Sequence, residues 1–132
     1  MRKNRTMNRP QACLTALAML AATPAFAASH IVDIAWAADG RFVRSANIDA
    51  GKFVEFCGKL NADDAVQWSF DASAPVDFNI HYHRGSDTEF PAKQAQVSAG
   101  RDTLRVAVAE DYCWMWSNKT TRRLRVNVRL QR

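Results

Sequence analysis

The alternation of apolar and polar side chains after residue 29 constrains the fold of this chain more than any other feature. Between residues 65 and 71, for example, Val66, Trp68 and Phe70 alternate with polar side chains. A period of two places the apolar side chains on one face of a β-strand. It recurs along the chain, whereas no helical period of useful length does. The pattern therefore predicts an all-β domain.

Turn-forming residues divide the alternating segments into about eight predicted strands. Asp39-Gly40 predicts a tight turn that closes a hairpin between the first two strands. Ala74-Pro75 predicts the end of a strand, and segment 88–99, which contains Pro91, is predicted to be a short strand or a loop. Strands are predicted at 30–36, 41–48, 52–60, 65–71, 76–83, 104–108, 112–117 and 123–131. This series of short strands predicts an antiparallel β-sandwich or jelly roll.

Residues 1–27 have the features of a secretory signal peptide. Their apolar run, 12–22, follows a basic head made of Arg2, Lys3, Arg5 and Arg9. Ala25-Phe26-Ala27 supplies the small residues that favour a cut after Ala27. The apolar run is shorter than a membrane span and no second one follows, so we expect no membrane span. The predicted mature part, 28–132, has the length of one domain and is expected to be a monomer in the periplasm or outside the cell.

The charge of the chain does not favour a nucleic-acid partner. The chain has 18 basic and 13 acidic residues, but four of the basic residues lie in the predicted leader, so the remainder is nearly neutral. One basic concentration remains near the end, and it consists of Arg122, Arg123, Arg125, Arg129 and Arg132. Arg123, Arg125 and Arg129 share the outer face of the last predicted strand. They either protect a sheet edge or form a contact surface for an anionic partner.

The cysteines predict one disulfide. Cys13 belongs to the leader, and Cys57 and Cys113 remain as an even pair in an exported protein. A bridge across about 56 residues would stabilise the fold by about 4 kcal/mol on the chain-entropy account. A catalytic thiol at Cys113 is the alternative, although an exported thiol with an available partner tends to oxidise.

Three histidines are candidate metal ligands. His81 and His83 project from one face of a predicted strand, but two ligands do not complete a tetrahedral shell, and Asp77 and Met115 are the further donors to consider. The alternative is a polar, hydrogen-bonding outer face. Separately, the predicted cut would expose Ala28-Ser29-His30, whose amine, amides and imidazole suit Cu(II) or Ni(II).

The tryptophans near the end of the chain have two interpretations. Trp114 and Trp116 share a face of their predicted strand, while Cys113 and Met115 share the other. If Cys113 is bridged inside the sandwich, the tryptophans lie outward and form a contact surface. The alternative is that they pack beneath a neighbouring loop.

Two segments resemble the GOLD domain, the β-sandwich module of the luminal part of Golgi cargo adaptors and of some lipid-transfer proteins. Residues 69–83, SFDASAPVDFNIHYH, resemble its paired central strands, and residues 112–119, YCWMWSNK, with the final strand, are similar to its closing hairpin. The Cys57 and Cys113 pair resembles the disulfide of the adaptor branch. The resemblance implies a binding module that contacts proteins or lipids without catalysis. The coiled coil and membrane anchor of the adaptors have no counterpart in the sequence, so their trafficking role is not implied.

These observations predict an exported, non-catalytic binding or accessory protein with a protein or lipid ligand. No Gly-rich phosphate loop, serine nucleophile elbow or motif-set pair of carboxylates is present in the sequence, so we do not expect an enzyme. The alternative function is copper or nickel binding in the periplasm, through His81 and His83 or through His30.

Overall fold

The computed structural model describes residues 30–132, so the predicted leader with Cys13, and Ala28 and Ser29, lie outside the described residues. These residues form β1 (His30–Asp33), β2 (Arg41–Ile48), β3 (Phe53–Leu60), β4 (Ala65–Arg84), β5 (Asp87–Arg105), β6 (Glu110–Ser117) and β7 (Leu124–Gln131). The predicted all-β class is confirmed. Within the described range no helix is long and apolar enough to cross a membrane.

The seven strands form one sheet that forks at β4. The strand order is β1-β3-β6-β4-β7-β2, and β5 pairs with β4. Residues 67–72 of β4 pair with β7, and residues 77–81 pair with β6. The β7-β2 branch and the β6-β3-β1 branch face each other across the core, where the rings of Phe42 and Phe56 have centroids 5.3 Å apart. The curled sheet therefore has the two layers of a sandwich.

The even-numbered side chains of β4 and β6 form much of the core. Phe78 lies near Phe70, Trp68 and Trp116, with ring centroids 4.8–5.3 Å apart. Trp114 and Trp116 are 0% and 1% exposed. The interpretation of these tryptophans as a contact surface is therefore wrong. Cys113 is bridged on the outer face of β6, and alternation then places both indoles inside.

The predicted hairpin between the first two strands is not formed. The turn before Arg41 exists, since the amide of Gly40 donates to the carbonyl of Ala37 at 2.9 Å. However, β1 pairs in parallel with β3, while β2 pairs along its whole length with β7. The second pairing lets β2 bury Phe42 and Ile48 against the apolar face of an eight-residue strand, which the four-residue β1 cannot offer.

Neither proline interrupts its strand. Pro75 lies between the β7-paired and β6-paired parts of β4, where the missing N–H breaks no ladder bond. Pro91 lies in β5, which pairs only with β4 among the described strands and has a free edge. Segments 65–71 and 76–83 therefore belong to one 20-residue strand, and 88–99 belongs to β5.

The last strand is not a sheet edge. β7 lies between β4 and β2. Edge protection by Arg123, Arg125 and Arg129 is therefore ruled out, and their outward position needs another explanation.

The structure contains the predicted disulfide. Cys57 and Cys113 face each other across β3 and β6, with Cα atoms 4.1 Å apart, on the outer side of the sheet. The bridge thus joins neighbouring strands of one layer that are 56 residues apart in the chain.

We expect the double variant Cys57→Ala/Cys113→Ala to lose about 4 kcal/mol of unfolding free energy, because the unfolded chain regains the entropy of a loop of about 56 residues. Urea unfolding of the variant and of the oxidised protein measures the difference. A loss below about 1 kcal/mol would contradict this account of the bridge.

Gly100 is required by a close contact. A Cβ atom at this position would lie 2.7 Å from Cε1 of Phe70, whose ring is held in the core. We expect Gly100→Ala to destabilise the fold by about 1–3 kcal/mol in urea unfolding, because the ring of Phe70 packs against Phe78 and Trp116 and would have to shift. Ser98→Ala, at an exposed position of the same strand, is the control and should change stability by less than about 0.5 kcal/mol.

Candidate functional site

Polar side chains gather at two places on the outer surface of the sheet. The first, which we name the arginine cleft, lies across β2, β7, β4 and β5. The second, which we name the histidine face, lies across β3, β6 and the second half of β4. The two places belong to different branches of the fork.

The arginine cleft is formed by residues that the strand register places side by side. One row contains Val43, Arg129, Ser69 and Arg101, and the next row contains Arg41, Gln131, Gln67 and Thr103. Together with Trp68, Asp102 and Leu130, these residues line an open cleft of about 710 Å³.

The charged side chains that line the cleft are three arginines, Arg41, Arg101 and Arg129, and one acid, Asp102. The guanidinium of Arg41 lies 2.6 Å from Asp39, and hydrogen bonding from Arg41 lowers the pKa of that carboxyl group. Arg129 lies 3.7 Å from Asp71, an exposed and distant pair that contributes little to stability. Arg101 forms no ion pair with any residue in the range 30–132. It therefore keeps its donors for a bound group.

Only one of the arginines predicted as contact residues lines this cleft. Arg129 does so, while Arg123 pairs with Asp49. Arg125 lies four residues before Arg129, on the same face of β7 but outside the cleft. Sequence analysis missed Arg41 and Arg101, because they come from strands distant in sequence. The sequence indicated that both side chains point outward, but it did not indicate which residues lie beside them.

The histidine face brings Glu55 and His81 together. Oε2 of Glu55 lies 3.6 Å from Nε2 of His81, and the two residues are only 9% and 7% exposed. The register places Cys57, Cys113 and His81 in one row. A sulfur atom of Cys113 lies within 4.8 Å of the ligand atoms of both other residues, but it belongs to the disulfide.

Hydrogen bonds orient both histidine rings on this face. Nδ1 of His81 lies 2.8 Å from Oδ1 of Asn79. Nδ1 of His83 lies 3.2 Å from the hydroxyl of Thr88. The two ring centroids are 5.4 Å apart, so the predicted projection of both rings from one face is observed.

The other predicted metal donors lie elsewhere or are occupied. Oδ1 of Asp77 accepts two hydrogen bonds from Gln96, at 3.1 and 2.8 Å. His30 stands opposite Val54, whose side chain enters the core, so His30 is on the other side of the sheet from Glu55. Met115 lies between Glu55 and Asn79 in the register.

Burial disfavours charge on this face. It raises the pKa of Glu55, and the nearby charge of His83 partly opposes that rise. Burial also lowers the pKa of His81, and His83 lowers it further. Both residues are thus shifted toward their neutral forms.

Sequence analysis did not select Glu55. An acid at an alternate position of the otherwise apolar strand FVEFCGKL was the available signal. Its proximity to the histidines follows only from the strand order, in which β6 alone separates β3 from β4.

Comparison with known proteins supports the fold but identifies no family. No protein-family model and no curated protein matches the chain. A solved structure of PliG from Aeromonas hydrophila, a periplasmic inhibitor of g-type lysozyme, is similar with a TM-score of 0.54 at 9% identity, over 76% of this chain and 94% of that one.

Two further solved structures are similar. The pre-peptidase C-terminal domain of a Bacillus anthracis collagenase has a TM-score of 0.54 at 9% identity, over 74% of this chain and 93% of that one. PliG from Salmonella Typhimurium has a TM-score of 0.52 at 10% identity, over 79% of this chain and 98% of that one. At such identities the similarity establishes the all-β sandwich-type fold alone.

We expect Glu55→Gln to become more stable relative to the wild type as the pH rises from about 4 to 8. A buried acid with a raised pKa binds its proton more tightly in the folded state, so the wild type loses stability as the pH rises toward the folded-state pKa. Urea unfolding over this pH range, with EDTA present, measures the difference. A pH profile identical to that of Glu89→Gln, an exposed acid on β5, would contradict it.

Proposed function

We propose that this chain is an exported, non-catalytic binding protein whose arginine cleft holds an acidic segment of a partner protein. The observation that carries the proposal is the convergence of Arg41, Arg101 and Arg129 in one open cleft across four strands. An arginine fork matches the geometry of a carboxylate and can bind it with two parallel hydrogen bonds.

The size and surroundings of the cleft favour a protein segment. A volume of about 710 Å³ is enough for a few side chains, and the cleft is open rather than enclosed. Val43 is 65% exposed in its wall and offers an apolar contact beside the charges. Arginine is enriched among the residues that dominate binding between proteins.

Export is part of the proposal. The predicted signal peptide and the Cys57–Cys113 bridge both fit an oxidising compartment, and the PliG structures similar to this fold are periplasmic. The GOLD resemblance remains a proposal about the origin of this sandwich. It leads to the same expectation of binding through exposed faces.

A g-type lysozyme is the first partner to test, since the similar PliG structures are described as inhibitors of that enzyme. Lysozymes use carboxyl groups to cleave glycosidic bonds. An arginine presented by a partner is a chemically suitable group to pair with them.

We expect Arg101→Glu to weaken binding of a fluorescein-labelled hexaglutamate peptide about tenfold in fluorescence anisotropy at physiological salt, because an attractive charge becomes repulsive. Arg122→Glu makes the same charge change at an exposed position outside the cleft and should leave the affinity within about twofold. Equal losses in both variants would show unspecific attraction and contradict the cleft.

Two further assays identify the class of partner. Inhibition of a g-type lysozyme that is lost in Arg101→Glu and kept in Arg122→Glu would establish that enzyme as a partner. Binding to phosphatidylglycerol vesicles without any binding to the peptide would contradict a protein segment and point to a membrane surface.

A further inference from the structure

Two of the three large apolar side chains that are exposed among residues 30–132 lie on the histidine face. Ile31 is 65% exposed, and Phe90 is 46% exposed. Ile31 stands opposite Glu55 in the pairing of β1 with β3, so the two side chains share the outer side of the sheet. Phe90 lies beside His81, with ring centroids 6.0 Å apart. The histidine face therefore continues onto β1 and β5.

The middle of this face is also apolar. The Cys57–Cys113 disulfide lies on the outer side of β3 and β6, and Met115 lies at the next outward position of β6. Cys57 and Met115 are only half-buried. Apolar side chains are thus present on β1, at the centre and on β5, between polar ones such as Glu55 and Asn79. An exposed area of this kind is typical of a contact between proteins.

The face is symmetric about β6, its middle strand. β3 and β1 lie on one side of β6, and β4 and β5 lie on the other. Ile31 and Phe90 therefore lie on the two outermost strands. A two-fold axis that runs along β6 in the plane of an interface places β1 of one copy over β5 of the other, and the reverse contact forms at the same time. Each Ile31 then lies over the strand that carries Phe90.

The charges of the outermost strands complement each other in this arrangement. The outward positions of β1 hold Ile31 and Asp33. On β5, Lys93 stands opposite the outward Asn79, and its ammonium lies 4.9 Å from the centre of the Phe90 ring. Each outermost strand thus carries one apolar side chain and one charge, and the two charges are opposite in sign. A second copy of this chain matches both features.

Other outward charges of the face have neighbours within the chain. Lys59 of β3 stands opposite Asp111 of β6 in the register. Oδ1 of Asp77 accepts two hydrogen bonds from Gln96. Such neighbours reduce the repulsion that a second copy would meet.

We propose that the histidine face binds a second copy of this chain, which gives a symmetric dimer in place of the monomer expected from the sequence. Neighbouring strands are about 4.8 Å apart, so the five strands make a face about 20 Å wide, and the eight residues of β6 are about 25 Å long. A face of this size is near the lower limit of specific interfaces, so we expect a Kd of about 1–100 µM. The face lies on a different branch from the arginine cleft, and the two proposals can fail independently.

The test is sedimentation velocity of the oxidised protein, with the predicted leader removed, from about 1 to 300 µM. We expect the sedimentation coefficient to rise with concentration. Ile31→Ser and Phe90→Ser should each raise the Kd at least about tenfold. Val43→Ser is the matched control, because Val43 is also 65% exposed but lies in the arginine cleft, and it should leave the Kd within about twofold.

A charge exchange tests the two-fold arrangement with variants that leave the core intact. Asp33→Lys and Lys93→Asp should each weaken the dimer about fivefold at low salt, and the double variant should return to within about twofold of the wild type. Monomeric behaviour up to about 300 µM would overturn the proposal and leave the face to a different protein. Equal weakening by Val43→Ser, or a double variant weaker than either single one, would also overturn it.

Discussion

The pairing of β4 with three other strands is the constraint on which the rest of this structure depends. β5 follows one edge of β4, whereas β7 and β6 share the other edge at its two halves. The inward side chains keep their alternation across the change of partner, so Phe70 and Phe78 meet in the core with centroids 4.8 Å apart. One strand thus supplies apolar surface to both layers, and the hydrophobic free energy of both branches depends on it.

The same alternation determines the outer surface. Each inward side chain of β4 is followed by an outward one, and the fork divides these outward residues between two environments. Ser69 joins the arginines of β2, β5 and β7, whereas His81 joins Glu55 of β3. A single strand therefore contributes to two chemically different surfaces, an open cleft lined by arginines and a face that holds the nearly buried pair of Glu55 and His81.

The disulfide has a second role beside its effect on stability. It holds β3 and β6 in register, and that register places Glu55 two strands away from His81. A one-residue slip of β3 would turn Glu55 to the core side and remove it from the histidine face. The covalent bond and the polar pair beside it are therefore linked through the backbone.

The sequence by itself determined the all-β class, the inward residues of most strands and the cysteine pair, because alternation and cysteine number are local properties of the chain. Only the tertiary structure decided which strands are neighbours, since backbone hydrogen bonds are alike for every pair and the choice depends on the apolar area that the whole sandwich buries. For that reason β2 pairs with β7 instead of β1, and Trp114 lies in the core rather than on a contact surface. The same dependence explains why Arg101 and Glu55, which complete the two candidate sites, could not be found from sequence spacing.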